Sequence, residues 1–235
     1  MKQKKAAVLG ATGAVGQKFI RLLANHPQFK LTELVASERS EGKTYIEAAN
    51  WIEEIAIPKH IASMPIKADT YDLDADVVFS AIPAGKAGPV EREFAKQGYP
   101  VFSNARDLRM EADVPLVIPE VNADHFELIK KQKAATKSDG FVVTNGNCTS
   151  IVLALPLKPL LDRFGLKHVS VVSMQALSGA GYPGVSSLDS TENVVPFIGG
   201  EEERLEREPK KFLGPLRNGA VIMADFQISA TCTRV

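Results

Sequence analysis

The chain has 235 residues, 45% hydrophobic and 24% charged, an ordinary globular composition with length for one large domain or two small ones. Its 28 Lys and Arg balance 28 Asp and Glu, so it lacks the basic surplus that binds nucleic acid or an anionic membrane, although a local anion site is still allowed. No apolar run approaches the roughly 20 residues of a membrane helix, and two cysteines, Cys148 and Cys232, are too few for a disulfide scaffold; a reducing, cytoplasmic setting is expected.

Lys5 to Gly10 reads as a short buried strand. The glycines and the amphipathic continuation after the basic start suit a strand-turn-helix better than a signal peptide. A helical pattern through Val15, Phe19, Ile20, Leu22 and Leu23 ends at Asn25-His26-Pro27, and Leu31 to Ala36 is a second strand, completing a βαβ unit. Asp76 to Ile82 is a third clear strand, followed by a helix from about Pro89 to Gln97 and the strand Pro100 to Ser103. Leu116 to Ile118 reads as a further strand, His125 to Lys131 as a helix, Ala134 to Gly140 as a loop and Phe141 to Thr144 as a strand. After the turn Asn145 to Asn147, a helix runs from about Thr149 to Phe164, with Pro156 and Pro159 expected to bend or split it. From His168 the character changes to longer β-like runs, Val169 to Leu177 and Val221 to Val235, around a glycine-rich loop and a charged helix near Glu201 to Arg207. The alternation predicts an α/β protein: a Rossmann-like, mostly parallel sheet with helices on both faces over 1–148, then a second, α+β domain over 149–235, which the family resemblance given below makes the catalytic and dimerisation domain.

Directly after the first strand stands Gly10-Ala11-Thr12-Gly13-Ala14-Val15-Gly16. The spacing departs from G-x-G-x-x-G, but the strand-to-helix context is that of a dinucleotide site, with helix N-terminal amides aimed at a pyrophosphate. Gly10, Thr12, Gly13, Ala14 and Val15 are therefore cofactor-binding candidates. About twenty residues on, where the ribose is recognised, stand Ser37, Glu38, Arg39 and Ser40, followed by Gly42-Lys43. Hydroxyls and a guanidinium at Ser37, Arg39 and Ser40 favour the 2′-phosphate of NADP, while Glu38 argues for NAD and a merely solvated loop is the bland alternative. Ser80, closing the third strand, joins the cofactor candidates.

Asn145-Gly146-Asn147-Cys148-Thr149 places a cysteine at a strand-to-helix switch. There helix N-terminal amides favour a thiolate and stabilise an oxyanion on an attacked carbonyl, so Cys148 is the candidate nucleophile. Cys232 has no such helix start and reads as an ordinary strand residue.

The segments GATGAVG, SERSEGK, SNARDLRM, VPLVIPEVN, TNGNC, MQALSGAGYPG, FIGGEEERLE and ISATCTRV occur in this order over essentially the whole chain. Through them the sequence resembles the aspartate-semialdehyde dehydrogenases, in the branch found in archaea and fungi. The resemblance implies NADP(H), phosphate as co-substrate, and reduction of L-aspartyl 4-phosphate to the semialdehyde on the way to lysine, threonine and methionine. It makes Cys148 the thioester-forming nucleophile and Gln175 the residue that orients the acyl group. Glu201 would hold the substrate ammonium and Arg234 its α-carboxylate, while Arg109, Asn147 and Arg204 form the phosphate site, with Arg204 where the family usually has lysine. Ser178 and Gly179 would lie against the nicotinamide. No metal is implied, and pairing through the second domain implies a homodimer or homotetramer.

The family's base histidine lies several residues beyond the arginine matched by Arg234, and this chain stops at Val235. His26, His60, His125 and His168 match no such motif and read as structural or surface residues. The resemblance thus implies a C-terminally truncated second domain and a chain that is inactive or impaired. Two rivals stand beside the dehydrogenase: a non-catalytic NADP-binding fragment, and a malonyl-CoA reductase, against which Glu201 argues because that substrate lacks an α-ammonium.

Overall fold

The computed structural model describes residues 2–68, 70–181 and 184–235. The chain divides into two compact units, one of residues 1–115 and 129–145, the other of 116–128 and 146–235. The segment Leu116–Leu128, which a single cut at 148 leaves in the first domain, packs with the second.

The first unit is built on six strands: β1 (Lys4–Leu9), β2 (Phe29–Val35), β3 (Ile66–Lys67), β4 (Val77–Ser80), β5 (Pro100–Ser103) and β6 (Phe141–Thr144). They form one sheet in the order β3-β2-β1-β4-β5-β6, with every neighbouring pair parallel. Successive residues of a strand face opposite sides, and β1 shows what that does at the sheet centre. Ala6 and Val8 join one apolar cluster with Ile20 and Leu23 of α1 (Ala14–Leu23), whereas Ala7 and Leu9 join another with Phe94 and Ala95 of α2 (Ala87–Lys96). Helices therefore cover both faces, and β1 reads as an unbroken apolar run rather than an alternating one. β6 is one of the two edge strands, and the buried Gln132 of α3 (Leu128–Thr136) replaces its missing neighbour. Its Nε2 donates to Val142 O at 2.8 Å, and its Oε1 accepts from Val142 N at 2.9 Å.

The second unit contains α4 (Cys148–Phe164), β7 (His168–Gln175), β8 (Val195–Pro196), α5 (Glu201–Phe212), β9 (Leu216–Arg217), β10 (Ala220–Val221) and β11 (Gln227–Arg234). β11 runs parallel to β7 and antiparallel to β8 in a three-stranded sheet, and β9 pairs with β10. Its core gathers Ala154 and Leu157 of α4, Phe212 of α5, Phe226 and Ile228 with Leu116, Ile118 and Val121.

Four local expectations change. Leu116 to Ile118 forms no strand but a buried connection, in which Asn122 takes the part of a neighbouring chain: Oδ1 accepts from Ile118 N and Nδ2 donates to Leu116 O, each at 2.9 Å. α3 continues to Thr136 where a loop from Ala134 was expected, and a 3-10 turn over Ala123–Glu127 precedes it. The β-like run Val221 to Val235 divides between β10 and β11. Finally, α4 stays one 17-residue helix through Pro156 and Pro159. Both prolines lie on its exposed side, so the carbonyls of Val152 and Leu155 that lose their donors face water, while buried Ala154 and Leu157 hold the other side to the core.

Candidate active site

In the first unit the strand order reverses direction between β1 and β4, and a crevice opens at the carboxyl ends of strands at such a point. The chain leaves β1 through Gly10 at φ +71°, and a Cβ there would stand 2.5 Å from Ala81 O in the loop after β4. Gly16 is equally constrained, since a Cβ would meet Gly10 O at 2.2 Å, and its absence lets α1 seat directly on the turn. Gly13 is the N-cap of α1; it offers no side-chain acceptor and the first turn carries no acid. The positive end of α1 is thereby left available to an anion.

A groove of about 480 Å³ lies over this turn, lined by the predicted Gly10, Thr12, Gly13, Ser37 and Arg39. Ala14, Val15, Ser40 and Ser80 stand outside its lining. Tyr71 and Lys86 line it without having been singled out; the signal for Lys86 was its place in the loop that follows a parallel strand. Ser80 is fully buried at the end of β4 and lies against Glu91, to which the Ser103 hydroxyl of β5 donates at 2.7 Å. Burial pushes the Glu91 carboxyl above the usual range despite both hydroxyls. Arg109 is buried, and its Nη2 donates to Asn104 O at 2.9 Å.

In the second unit Asn147 is the N-cap of α4, its Oδ1 accepting from Thr149 N at 3.0 Å and Ser150 N at 3.2 Å. Cys148 is the first helical residue and is exposed, with Sγ 3.9 Å from Thr149 Oγ1. Two acids of α5 reach the same turn. Glu201 Oε1 accepts from Asn147 Nδ2 at 2.8 Å and Thr149 Oγ1 at 3.3 Å, and Glu208 Oε2 accepts from Asn147 N at 2.6 Å. Glu201 Oε2 accepts from Arg204 Nη2 at 2.6 Å. Burial alone would push the Glu201 carboxyl up, but the bonds from Arg204, Asn147 and Thr149 and the guanidinium charge outweigh it and hold it below the usual range.

β7 and β11 bring two further predicted residues together, because their parallel register sets Gln175 beside Arg234. Arg234 is 7% exposed, and its Nη1 donates to Ala176 O at 3.0 Å. Ser178 and Gly179 follow in the 3-10 turn Leu177–Ala180, where a Cβ on Gly179 would stand 2.6 Å from Arg234 Nη1. Tyr182 and Pro183 of the same loop lie outside the described residues. On another side of α5, Glu202 Oε1 accepts from Cys232 N at 3.0 Å and Glu206 Oε1 from Ala230 N at 3.3 Å, so one helix holds both the cysteine turn and the arginine strand. Cys232 is fully buried, and burial pushes its thiol up. Among the described residues no cluster of three or more His, Cys, Asp or Glu could hold a metal ion, and no helix is long and apolar enough to cross a membrane.

The sheet order, the glycine turn and the groove are those of a Rossmann-type dinucleotide-binding domain joined to a second unit. Sequence profiles agree in both halves: that of the semialdehyde dehydrogenase NAD binding domain matches residues 5–129, and that of the semialdehyde dehydrogenase dimerisation domain matches 157–235. An aspartate-semialdehyde dehydrogenase from Archaeoglobus fulgidus is 56% identical over 97% of this chain and 66% of its own length. The crystal structure of aspartate semialdehyde dehydrogenase with NADP from Candida albicans superposes with a TM-score of 0.90 at 40% identity, covering 99% of this chain and 68% of that one. A malonyl CoA reductase (NADP) from Metallosphaera sedula is 42% identical over 91% of this chain and 60% of its own length. The chain thus spans about two thirds of the length of the Archaeoglobus and Candida relatives. It belongs to the aspartate-semialdehyde dehydrogenase family, with archaeal and fungal members among its relatives.

Proposed function

We propose that the chain carries the cofactor and nucleophile sites of an NADP(H)-dependent aspartate-semialdehyde dehydrogenase, which reduces L-aspartyl 4-phosphate to L-aspartate 4-semialdehyde and phosphate. The observation that carries this reading is the exposed Cys148 at the first position of α4, beside the Glu201–Arg204 pair. The glycine turn, the acid-free helix end and Arg39 fit the phosphates of a dinucleotide, with Ser37, Arg39 and Ser40 toward the 2′-phosphate.

Cys148 Sγ attacks the acyl carbon, the bond to phosphate oxygen breaks, and a thioester forms. Gln175 orients the acyl group, and Arg109, Asn147 and Arg204 receive the departing phosphate. The substrate ammonium is held at Glu201 and its α-carboxylate at Arg234; opposite charges at fixed separation select a small amino acid. The nicotinamide, when bound, would supply a hydride for the thioester carbon, with a proton from water completing the thiohemiacetal, and Ser178 and Gly179 would lie against its ring. Collapse breaks the C–S bond and returns the thiol. The second unit, matched by a dimerisation-domain profile, exposes Val172 and Met174 along one face of β7, which supports a homodimer or homotetramer. Two free cysteines, one of them exposed, accord with a reducing, cytoplasmic setting.

The test is phosphate-dependent reduction of NADP⁺ by aspartate semialdehyde, in the 235-residue chain and in a version extended with the remainder of the Archaeoglobus relative. The expected result is turnover in the extended protein, none in its Cys148→Ser variant, and NADPH binding in all of them. Undiminished turnover in Cys148→Ser would overturn the reading. Reduction of malonyl-CoA but not of aspartyl phosphate would assign the other reductase, and binding without any turnover would leave a binding-only protein.

A further inference from the structure

Asn147 is held at two points by one helix. Its side-chain amide donates to Glu201, and its main-chain N–H, which as the N-cap N–H has no partner within α4, donates to Glu208. Glu201 and Glu208 stand about two turns apart and so share a face of α5. The Glu208 carboxylate is 2% exposed and sits at the positive end of a 17-residue helix, where a short charge-assisted bond to an amide is strongest. The residue before it in the turn is shaped for this contact: a Cβ on Gly146 would lie 3.1 Å from Glu208 Oε2 and 2.3 Å from Phe212 Cζ. Phe212, 1% exposed, anchors this end of α5 in the core.

We propose that Glu208 is a positioning residue for the nucleophile: it fixes the Gly146–Asn147 peptide and thereby the place of Cys148 at the first position of α4. The proposal rests on the reading of Cys148 as nucleophile. Glu208 acts through Asn147, since its Oε2 accepts from that main chain. Glu201 holds the side chain of the cap; Glu208 stops the Gly146–Asn147 peptide from turning. Loss of the acceptor releases that peptide, and a sulfur no longer held in one place reaches the productive geometry less often.

The test is the rate at which iodoacetamide modifies Cys148, followed by mass spectrometry against pH, in the parent chain and in Glu208→Leu and Glu208→Gln, with thermal melting and NADPH binding measured in parallel. Glu208→Leu is expected to slow modification about tenfold at neutral pH, with NADPH binding unchanged. Glu208→Gln retains an acceptor and recovers most of the rate. A purely structural role would lower the melting temperature and leave the rate and profile of the folded protein as in the parent, and that result overturns the proposal. So would a faster rate in Glu208→Leu, which would mean that the carboxylate acts only by its charge. If Glu208→Leu does not fold, Gly146→Ala, whose methyl displaces the carboxylate and the Phe212 ring, must slow modification in the same way, and parent-like rates there overturn it. Failure of the underlying reading looks different: Cys148 of the parent would react no faster than the same thiol in the chain unfolded by urea.

Discussion

The two units build their sites from different materials. In the first, the cofactor turn is main chain: a glycine at positive φ, a helix end with no acid in its first turn, and strand ends brought level by a parallel sheet. In the second, the cysteine turn is held by side chains of a helix 54 to 61 residues away, with Glu201 and Glu208 on Asn147 and Glu201 on Arg204. A site made of backbone is written in consecutive residues. One made of long-range carboxylates takes shape only once α5 has packed.

That contrast makes Glu201 the most sensitive point of the second unit. It is 4% exposed, and its removal leaves the Arg204 guanidinium and the Asn147 amide without their acceptor. Breaking one side of a buried pair is strongly destabilising, so Glu201→Ala should lose about 3 kcal/mol in urea unfolding. A loss near zero would show that water replaces the carboxylate freely and that the second site is no more interlocked than the first.

The first unit should fail by strain instead. Gly10→Ala places a methyl 2.5 Å from Ala81 O at φ +71°, which costs on the order of 1–3 kcal/mol. NADPH affinity, by fluorescence titration, should fall at least about tenfold, while iodoacetamide modifies Cys148 at the parent rate. Parallel loss of both would mean that the two sites do not depend on separate local structures.

These differences explain what the sequence made legible. The βαβ unit, the parallel sheet and the glycine turn follow from apolar runs and glycine spacing that act locally, and Cys148 at a helix start follows from the N-cap beside it. Arg234 beside Gln175 was legible only through family resemblance, because strand register joins positions far apart in the chain. Leu116 to Ile118 looked like a strand because buried apolar runs look alike whether a neighbouring strand or the Asn122 side chain satisfies their main chain. Glu208 was invisible among the charges of EEERLEREPKK, where only packing tells an acid with a buried partner from a solvated one. Lys86 and Tyr71 reach the groove from loops whose course no periodicity sets.

The two units should also answer pH in opposite senses. In the second, His125 is fully buried, with Nε2 donating to Gly214 O and Nδ1 accepting from Asn122 Nδ2, each at 2.9 Å; burial pulls the ring below its ordinary 6.5. Its contribution is therefore complete above pH 6.5 and is lost as pH falls through the lower folded value, at no more than about 1.4 kcal/mol per pH unit. In the first, Glu91 is fully buried, with a carboxyl raised above its ordinary 4.5. Its contribution is complete below pH 4.5 and is lost as pH rises through the raised folded value. Glu91→Gln keeps an acceptor for Ser103 and cannot ionise, so its stability relative to the parent should rise with pH, reaching a gain of about 1 kcal/mol in mildly alkaline urea unfolding. A parent and variant that keep a constant difference across pH would place the Glu91 charge in water and remove the opposition between the two units. A difference that grows only above pH 4.5 would tie the loss at rising pH to a single buried carboxyl at the ends of β4 and β5.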